Sequence, residues 1–395
     1  MVVLNIADLL QLASSLRGEP GARSGAIAAR KRRGEFVTIL YSLSLEIREN
    51  ISLAPFTTFK IGGPARWFAA AAGEDDVAEA CKWARQRDVP LFVLGGGSNV
   101  LVADGGFPGL VLHIAAKGVE QDGNLFRVGA GESWDDLVQR AVENGFAGIE
   151  CLAGIPGTAG GTPVQNVGAY GQEVSSVIER VRLFDIAALS FLEMSAADCQ
   201  FSYRRSRFNS ADRGRFIVTR IDYRLRPKGA PQLSYADLKS YFEGRPAPSF
   251  REAADAVRRI RRGKGMLLVP GDPDCRSAGS FFKNPSVTHQ VADRIRAFAA
   301  GTGTSLRVYP GEVGYVKVPA AWLIEQSGFA KGYSQGAAGI SSRHTLALIN
   351  IGYGVGDARG GATAAEILAL ASEIADAVEA KFGVRLEMEP EKVGF

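Results

Sequence analysis

A chain of 395 residues with 46% hydrophobic and 22% charged content is long enough to bury more than one core and has the composition of an ordinary globular protein. Its formal charge of +4 is too small to argue for nucleic acid as the partner, and no apolar run reaches the roughly 20 residues of a membrane span, the run at 92–102 being broken by glycine and polar residues. Cys81, Cys151, Cys199 and Cys275 form no C-x-x-C pair and His113, His289 and His344 have no ligand spacing, so no metal centre or disulfide framework is indicated and any redox chemistry needs an organic cofactor.

Residues 1–45 carry the basic run Arg30, Lys31, Arg32, Arg33 with no secretory apolar core after it, and read as a poorly ordered extension. Four cations without interleaved aromatics are more often a solvated tail than a nucleic-acid arm. Hydrophobic periodicity then predicts a helix over 75–86, with Val77, Ala80, Cys81 and Ala84 on one face, and buried strands at 90–94 and 99–102. Short strands with glycine punctuation fill 110–130, and a helix follows at 134–144. The stretch 145–171 is dense in glycine and proline, the composition of a long ordered loop lining a site. Strands are predicted at 177–184 and 216–225, a charged helix at 250–262 and a boundary in the Pro/Gly/Asp stretch 269–274. Helices at 291–300, 320–327 and 364–381 and a closing strand at 384–388 make the last part a smaller α/β domain after an α+β first half.

Several segments could carry chemistry. In Leu94-Gly95-Gly96-Gly97-Ser98-Asn99 the missing Cβ atoms let successive backbone N–H groups converge on an anion such as a pyrophosphate. The segment is neither a P-loop nor a G-x-G-x-x-G helix start, and alone it reads as a mobile turn. The second glycine-rich loop, 155–171, adds Thr158, Gln165, Asn166 and Tyr170, a surface suited to a flavin; the alternative is an Ω-type loop stiffened by Pro156 and Pro163. Arg204, Arg205 and Arg207 stand among aromatics and offer planar forks for a carboxylate, although a solvated strand edge is the commoner fate of such a run. Ser280 precedes Phe281 and Phe282 in what reads as a dry pocket. No Asp–His pair supports a hydrolytic triad, a core serine is the structural alternative, and proton donation requires nearby cations. Glu387, Glu389 and Glu391 alternate, and would share a face of a straight strand that Pro390 is expected to end.

Taken in order, TFKIGGPA, LGGGSNVLV, IPGTAGGTPVQNVGAYG, CQFSYRRSRF, SYADL, SAGSFFKNP and the closing segment resemble the UDP-N-acetylenolpyruvoylglucosamine reductase family over residues 46–395. The resemblance implies an α+β, two-subdomain FAD-binding fold of the vanillyl-alcohol-oxidase (PCMH) type over 46–228. A substrate loop and connecting helix would follow at 229–274, then a C-terminal α/β substrate-binding domain over 275–395. It also implies non-covalent FAD, NADPH as hydride donor and UDP-N-acetylglucosamine enolpyruvate as substrate, in a cytoplasmic monomer that neither inserts into membranes nor binds nucleic acid.

On that pattern Gly95, Gly96, Gly97, Ser98 and Asn99 hold the pyrophosphate, with Gly157, Thr158, Gln165, Asn166 and Tyr170 around the rest of the cofactor. Arg204, Ser280 and a C-terminal glutamate are implied as catalytic, and Tyr235, Lys264 and Asn284 as the substrate side. The family commonly ends L-x-P-E-V-R-x-x-G. Registering Leu386 and Gly394 without a gap selects Glu389 as the carboxylate, while matching only Pro-Glu selects Glu391; the ungapped register is preferred. A flavin oxidase of the same fold, or a nucleotide- or sugar-binding protein without turnover, are the other readings, the first disfavoured by Lys264 and Tyr235.

Overall fold

A computed structural model describes residues 45–352 and 361–395, and the backbone of two antiparallel strands, Gly25–Arg30 and Phe36–Tyr41, within a separate unit of residues 1–46. The extension expected over 1–45 otherwise falls outside the described residues.

From residue 47 the chain builds a four-stranded sheet of β1 (Ile47–Ser52), β2 (Pro64–Ala71), β3 (Leu91–Leu94) and β5 (Phe107–Ile114), in the order β1-β2-β5-β3. The short β4 (Val100–Val102) stands outside it. β5 lies parallel to both neighbours, and its Leu110, Val111 and Leu112 are fully buried, as the middle strand of a covered sheet requires. Helix α1 (Glu74–Gln86) buries the predicted face of Val77, Ala80, Cys81 and Ala84.

The second sheet is antiparallel throughout, in the order β9-β8-β10-β7-β6, from β6 (Val119–Asp122), β7 (Leu125–Gly129), β8 (Ile178–Asp185), β9 (Ser190–Ser195) and β10 (Phe216–Arg224). Helix α2 (Trp134–Glu143) packs Trp134 against Tyr223 of β10. Both residues then reach the glycine-rich loop region: the Trp134 indole N–H donates to the Leu152 carbonyl at 3.1 Å, and the Tyr223 hydroxyl meets that of Thr162 at 2.8 Å. The long loop is thereby seated on a sheet, which is how it stays ordered with little regular structure.

Helix α3 (Ala236–Phe242) and helix α4 (Phe250–Gly263) lead to the last part. Ser249 starts α4 through a reciprocal cap, its hydroxyl accepting from the Glu252 N–H at 3.2 Å and its own N–H donating to the Glu252 carboxylate at 2.8 Å. Two three-stranded sheets follow, β11 (Ser286–Thr288), β12 (Tyr309–Pro310) and β13 (Tyr315–Lys317), then β14 (Ser334–Gln335), β15 (Ala338–Ile340) and β16 (Leu348–Asn350). Helices α5 (His289–Gly301), α6 (Ala320–Gln326) and α7 (Ala364–Phe382) pack with them. Their apolar core takes in Phe59, Ile61 and Leu101, so the first and last parts of the chain share one interior. Asp104 adds a polar tie, accepting from the first N–H groups of α7, Ala364 at 2.7 Å and Ala365 at 3.0 Å. Among the described residues no helix is long and apolar enough to cross a membrane.

The closing strand is displaced from its expected place. Residues 384–388 pair only through a single bridge between Met388 and Phe282, and the strand is β17 (Glu391–Val393), parallel to β4. Pro390 precedes the strand instead of ending it, a position where its missing N–H costs no ladder bond. The three carboxylates also diverge: Glu387 lies 3.6 Å from Lys283, Glu389 meets Arg204, and Glu391 pairs with Arg213.

Replacing Ser249 by Ala removes the α4 cap and is expected to lower stability by about 1 kcal/mol, read as a shift of the urea midpoint without a change of slope.

Candidate active site

The turn between β3 and β4 and the turn at 156–158 lie back to back. A Cβ on Gly96 would come within 2.5 Å of the Gly157 Cα, and the Ser98 hydroxyl donates to the Pro156 carbonyl at 3.0 Å. Gly97 sits at φ +62°, where a Cβ would fall 1.9 Å from the Phe56 carbonyl oxygen, so this position admits glycine for two separate reasons. Beside them the buried Thr158 hydroxyl has no hydrogen-bond partner among the described residues. An unpartnered hydroxyl beside close-packed glycine backbones is a cradle for an oxygen-rich ligand.

A cavity of about 720 Å³ opens next to these turns. Ser98, Asn99, Gln165 and Tyr170 line it from the cofactor side expected from sequence, Tyr235, Lys264 and Asn284 from the substrate side, and Arg204, Ser280 and Glu389 complete the wall. Gly95, Gly96, Gly97, Gly157 and Thr158 form the stacked turns and are not part of that wall. Asn166 is likewise not part of that wall. It is 1% exposed, its amide donates to the Glu173 carboxylate at 2.9 Å and the Ser202 carbonyl at 3.0 Å, and its oxygen accepts from the Ser175 N–H at 3.1 Å. With these groups engaged, Asn166 is a brace between the glycine-rich loop and the turn that carries Arg204.

That turn is tight. Ser202 and Arg205 exchange backbone hydrogen bonds at 2.9 and 3.1 Å, which forces Arg204 into the left-handed region at φ 55°. The Arg204 guanidinium donates to the Gly168 carbonyl at 2.7 Å and lies 3.2 Å from Glu389. Of its neighbours, Arg205 is exposed and Arg207 pairs with Asp212, so one arginine of the three reaches the cavity.

Glu389 is fixed through its backbone: its N–H donates to the Phe281 carbonyl at 2.9 Å, and its own carbonyl accepts from the Asn99 amide at 3.3 Å. Burial pushes its carboxyl above the usual range, with Arg204 and Lys283 pulling the other way. Between the two carboxylates left open by the sequence register, Glu389 faces the cavity beside Arg204, whereas Glu391 is paired away with Arg213.

On the substrate side Lys264 follows the last turn of α4 and contacts Asp237 at 2.5 Å, and the Tyr235 ring meets that of Tyr170, from the cofactor side, edge to face at 5.4 Å between ring centroids. Asn284 accepts from the Ala320 N–H at 2.9 Å and so caps the start of α6.

Other groups at the cavity were not found from sequence. Lys317 places its ammonium 3.3 Å from the Tyr203 ring centroid, and burial lowers its pKa. A polar residue between Val316 and Val318 is visible as strand alternation, but nothing local says what it faces. Arg261 is buried, donating to the Gly154 carbonyl at 3.0 Å and the Met266 carbonyl at 2.7 Å, and burial depresses its pKa. Its signal was present: it falls four residues after Val257, on the apolar stripe of α4. His344 also lines the cavity, its Nδ1 accepting from the Leu346 N–H at 3.1 Å, and burial with Lys264 and Lys331 nearby pulls its pKa down to about 4.

Two family models match separate parts of the chain. A family model described as an FAD binding domain matches residues 65–188, and one described as UDP-N-acetylenolpyruvoylglucosamine reductase, C-terminal domain, matches residues 272–393. A UDP-N-acetylenolpyruvoylglucosamine reductase of Streptomyces coelicolor is 43% identical over 96% of this chain and 98% of its own length, and one of Thermobifida fusca is 42% identical over 89% and 99%. The crystal structure of UDP-N-acetylenolpyruvylglucosamine reductase from Thermus caldophilus superposes with a TM-score of 0.58 at 26% identity, covering 88% of this chain and 98% of that one. The first two sheets are an FAD-binding fold of the PCMH type, and the last part is a C-terminal α/β domain. The stacked glycine turns and the unpartnered Thr158 hydroxyl fit that cofactor.

Two outcomes are expected. Gly97→Ala introduces a Cβ against the Phe56 carbonyl and should yield protein with less than a tenth of the wild-type flavin content, read from the visible absorbance of the purified protein. His344 ionises near 6.5 when unfolded and near 4 when folded. Below 6.5 the unfolded chain takes up a proton that the folded chain refuses, so stability falls as pH drops from 6.5 towards 4. His344→Asn, which cannot titrate, should lose less stability across that window, measured by urea unfolding at each pH.

Proposed function

The chain belongs to the UDP-N-acetylenolpyruvoylglucosamine reductase family, and from that premise we propose that it reduces the enolpyruvyl double bond of UDP-N-acetylglucosamine enolpyruvate to give UDP-N-acetylmuramate, a step of peptidoglycan precursor synthesis in the cytoplasm, with FAD as cofactor and NADPH as hydride donor. The observation that carries the reading is the convergence of Arg204, Ser280 and Glu389 on one cavity between a cofactor-side and a substrate-side wall.

FAD, when bound and once reduced by NADPH, would supply the hydride that reaches the terminal methylene carbon of the substrate. Ser98, Asn99, Gln165 and Tyr170 are the cavity residues assigned to hold it, with Thr158 and the glycine turns behind them. Hydride addition drives electrons onto the substrate carboxylate, and the resulting enolate carries two negative charges. A cation already in place is the largest stabilisation the protein can offer such a species. Arg204 has that role, its guanidinium held by the Gly168 carbonyl and its backbone fixed by the 202–205 turn.

The carbon bearing the ether oxygen must then gain a proton, and Ser280 is assigned as its donor. A serine hydroxyl is a weak acid in water, so the alkoxide it leaves needs positive charge nearby, and Arg204 and Lys317 share the cavity with it. Glu389, with a carboxyl raised by burial, retains a proton to higher pH than an ordinary glutamate and is assigned to restore the serine. On the other wall Tyr235, Lys264 and Asn284 are assigned to the UDP-sugar, Tyr235 and Lys264 near its diphosphate.

Ser280→Ala should leave anaerobic flavin reduction by NADPH within about twofold of wild type and slow reoxidation by the enolpyruvyl substrate by about 100-fold or more, the usual scale of a lost general acid. Stopped-flow absorbance separates the two half-reactions, and equal slowing of both would refute the assignment of Ser280.

A further inference from the structure

We infer that His344 binds substrate as a fixed neutral hydrogen-bond donor, its Nε2–H directed at an oxygen of the UDP diphosphate. The inference deepens the proposed reading and rests on it.

His344 sits in a turn whose backbone and side chains are held from several sides. The Ser341 hydroxyl oxygen accepts from the N–H groups of Arg343 at 3.1 Å and His344 at 3.2 Å. Asp274 accepts from the Ser342 N–H at 2.9 Å, the Ser342 hydroxyl at 2.7 Å and the Arg343 Nε at 2.7 Å. Arg343 further donates to the Arg262 carbonyl at 3.1 Å and pairs with Asp272, joining this turn to the end of α4 just before Lys264. The Ala347 N–H donates to the His344 carbonyl at 3.0 Å, and the Leu346 carbonyl accepts from the Phe281 N–H at 2.7 Å, next to Ser280. The imidazole therefore stands on a scaffold shared with Lys264 and Ser280.

The tautomer follows from the contacts. Nδ1 accepts from the Leu346 N–H and cannot carry a proton, so in the neutral ring the proton is on Nε2. The charged groups acting on the ring are Lys264, from the end of α4, and Lys331, from the loop after α6, and both favour its neutral form. Arg343, its neighbour in sequence, is directed away into Asp272 and Asp274. A neutral N–H at a cavity wall beside a lysine suits an acceptor-only anion, because it adds a directed donor without adding a charge that Lys264 would repel. The diphosphate is the part of the substrate with that chemistry.

A structural role and a ligand role make opposite demands on two substitutions. Asn can reproduce the Nδ1 acceptor towards Leu346, whereas Gln places an amide donor near the position of Nε2. Binding of UDP-N-acetylmuramate to the oxidised FAD holoenzyme, by titration calorimetry at matched flavin content, should be weakened about tenfold or more in His344→Asn and by no more than about threefold in His344→Gln, the scale of one hydrogen bond to a charged group. UDP alone should show the same ordering. Asn binding as tightly as wild type, or Gln as weakly as Asn, would overturn the inference; an effect on the full ligand but not on UDP would overturn the diphosphate as its target. Failure of the wild-type holoenzyme to bind UDP-N-acetylmuramate would overturn the proposed function together with the inference, which separates the two failures. The chain has three histidines, so ¹⁵N-histidine spectra of the wild-type holoenzyme give a test without substitution. One neutral, Nε2-protonated ring should shift on addition of UDP, and an unchanged Nε2 resonance would count against the role even if neither variant folds.

Discussion

The site depends on a few backbone hydrogen bonds made by the last residues of the chain. The Glu389 N–H reaches the Phe281 carbonyl at 2.9 Å and the Glu391 N–H reaches the Asn99 carbonyl at 2.9 Å, so two residues of the tail, one on each side of Pro390, are bonded to the serine-bearing segment and to the glycine turn after β3. β17 then runs parallel to β4 for three residues. These contacts join positions near 99, 281 and 389, far apart in sequence, and they bring the Glu389 carboxylate to the Arg204 guanidinium. Burying a carboxylate is costly unless a partner and hydrogen-bonding surroundings offset the loss of water. Here the backbone fixes where the carboxylate goes and Arg204 makes that place tolerable.

Arg204 is held with comparable care. Its left-handed backbone is a conformation that a non-glycine residue adopts only when its surroundings enforce it, and those surroundings are identifiable. Asn166 donates to the Ser202 carbonyl, Ser206 to the Val164 carbonyl at 2.6 Å, and Asn209 to the Arg204 carbonyl at 3.1 Å. The polar residues of the glycine-rich loop and of the arginine turn thus serve each other as well as any ligand. A guanidinium fixed before substrate arrives need not reorganise when charge develops, and this is the condition under which electrostatic stabilisation accelerates a reaction.

Local patterns made most of the elements legible. The α1 face, the α4 helix and the strands at 178–185 and 216–224 follow from periodicities of 3.6 and 2 in the sequence. The candidate site was legible where a motif encloses its own geometry, as in the glycine turns and the serine before two phenylalanines. It was illegible where geometry is set by a distant partner. Pro390 reads as the end of a strand, and only the free edge of β4, nearly 300 positions earlier, makes it the residue before one. Asn166 reads as a ligand contact because it lies in a glycine-rich loop, and the partners of its side chain include the Ser202 carbonyl of another segment. Lys317 and His344 lie on short elements whose orientation is decided by packing in the last domain. Arg261 was accessible to a stricter reading, since a cation on the apolar stripe of a helix must be paired inside.

The balance of charge around the cavity links these details to the chemistry of the proposed ligand. Arg204, Arg261, Lys264 and Lys317 line it against Glu173 and Glu389. The cations are not equivalent: Arg261 donates to two backbone carbonyls, Lys264 is shared with Asp237, and Arg204 is shared with Glu389. Lys317 lies against the face of Tyr203, and its depressed pKa reflects burial together with the repulsion of Arg204. Four cations against two carboxylates leave the lining with an excess of positive charge, which suits an anionic ligand. A ligand with a carboxylate at one end and a diphosphate at the other would match that excess at both ends, with the carboxylate at Arg204 and the diphosphate at Lys264. Reduction adds one further negative charge at the carboxylate end, where Glu389 lies beside Arg204. Burial raises the Glu389 carboxyl against the pull of Arg204 and Lys283, which places at that end a group that holds its proton to higher pH than an ordinary glutamate and is suited to returning one to Ser280.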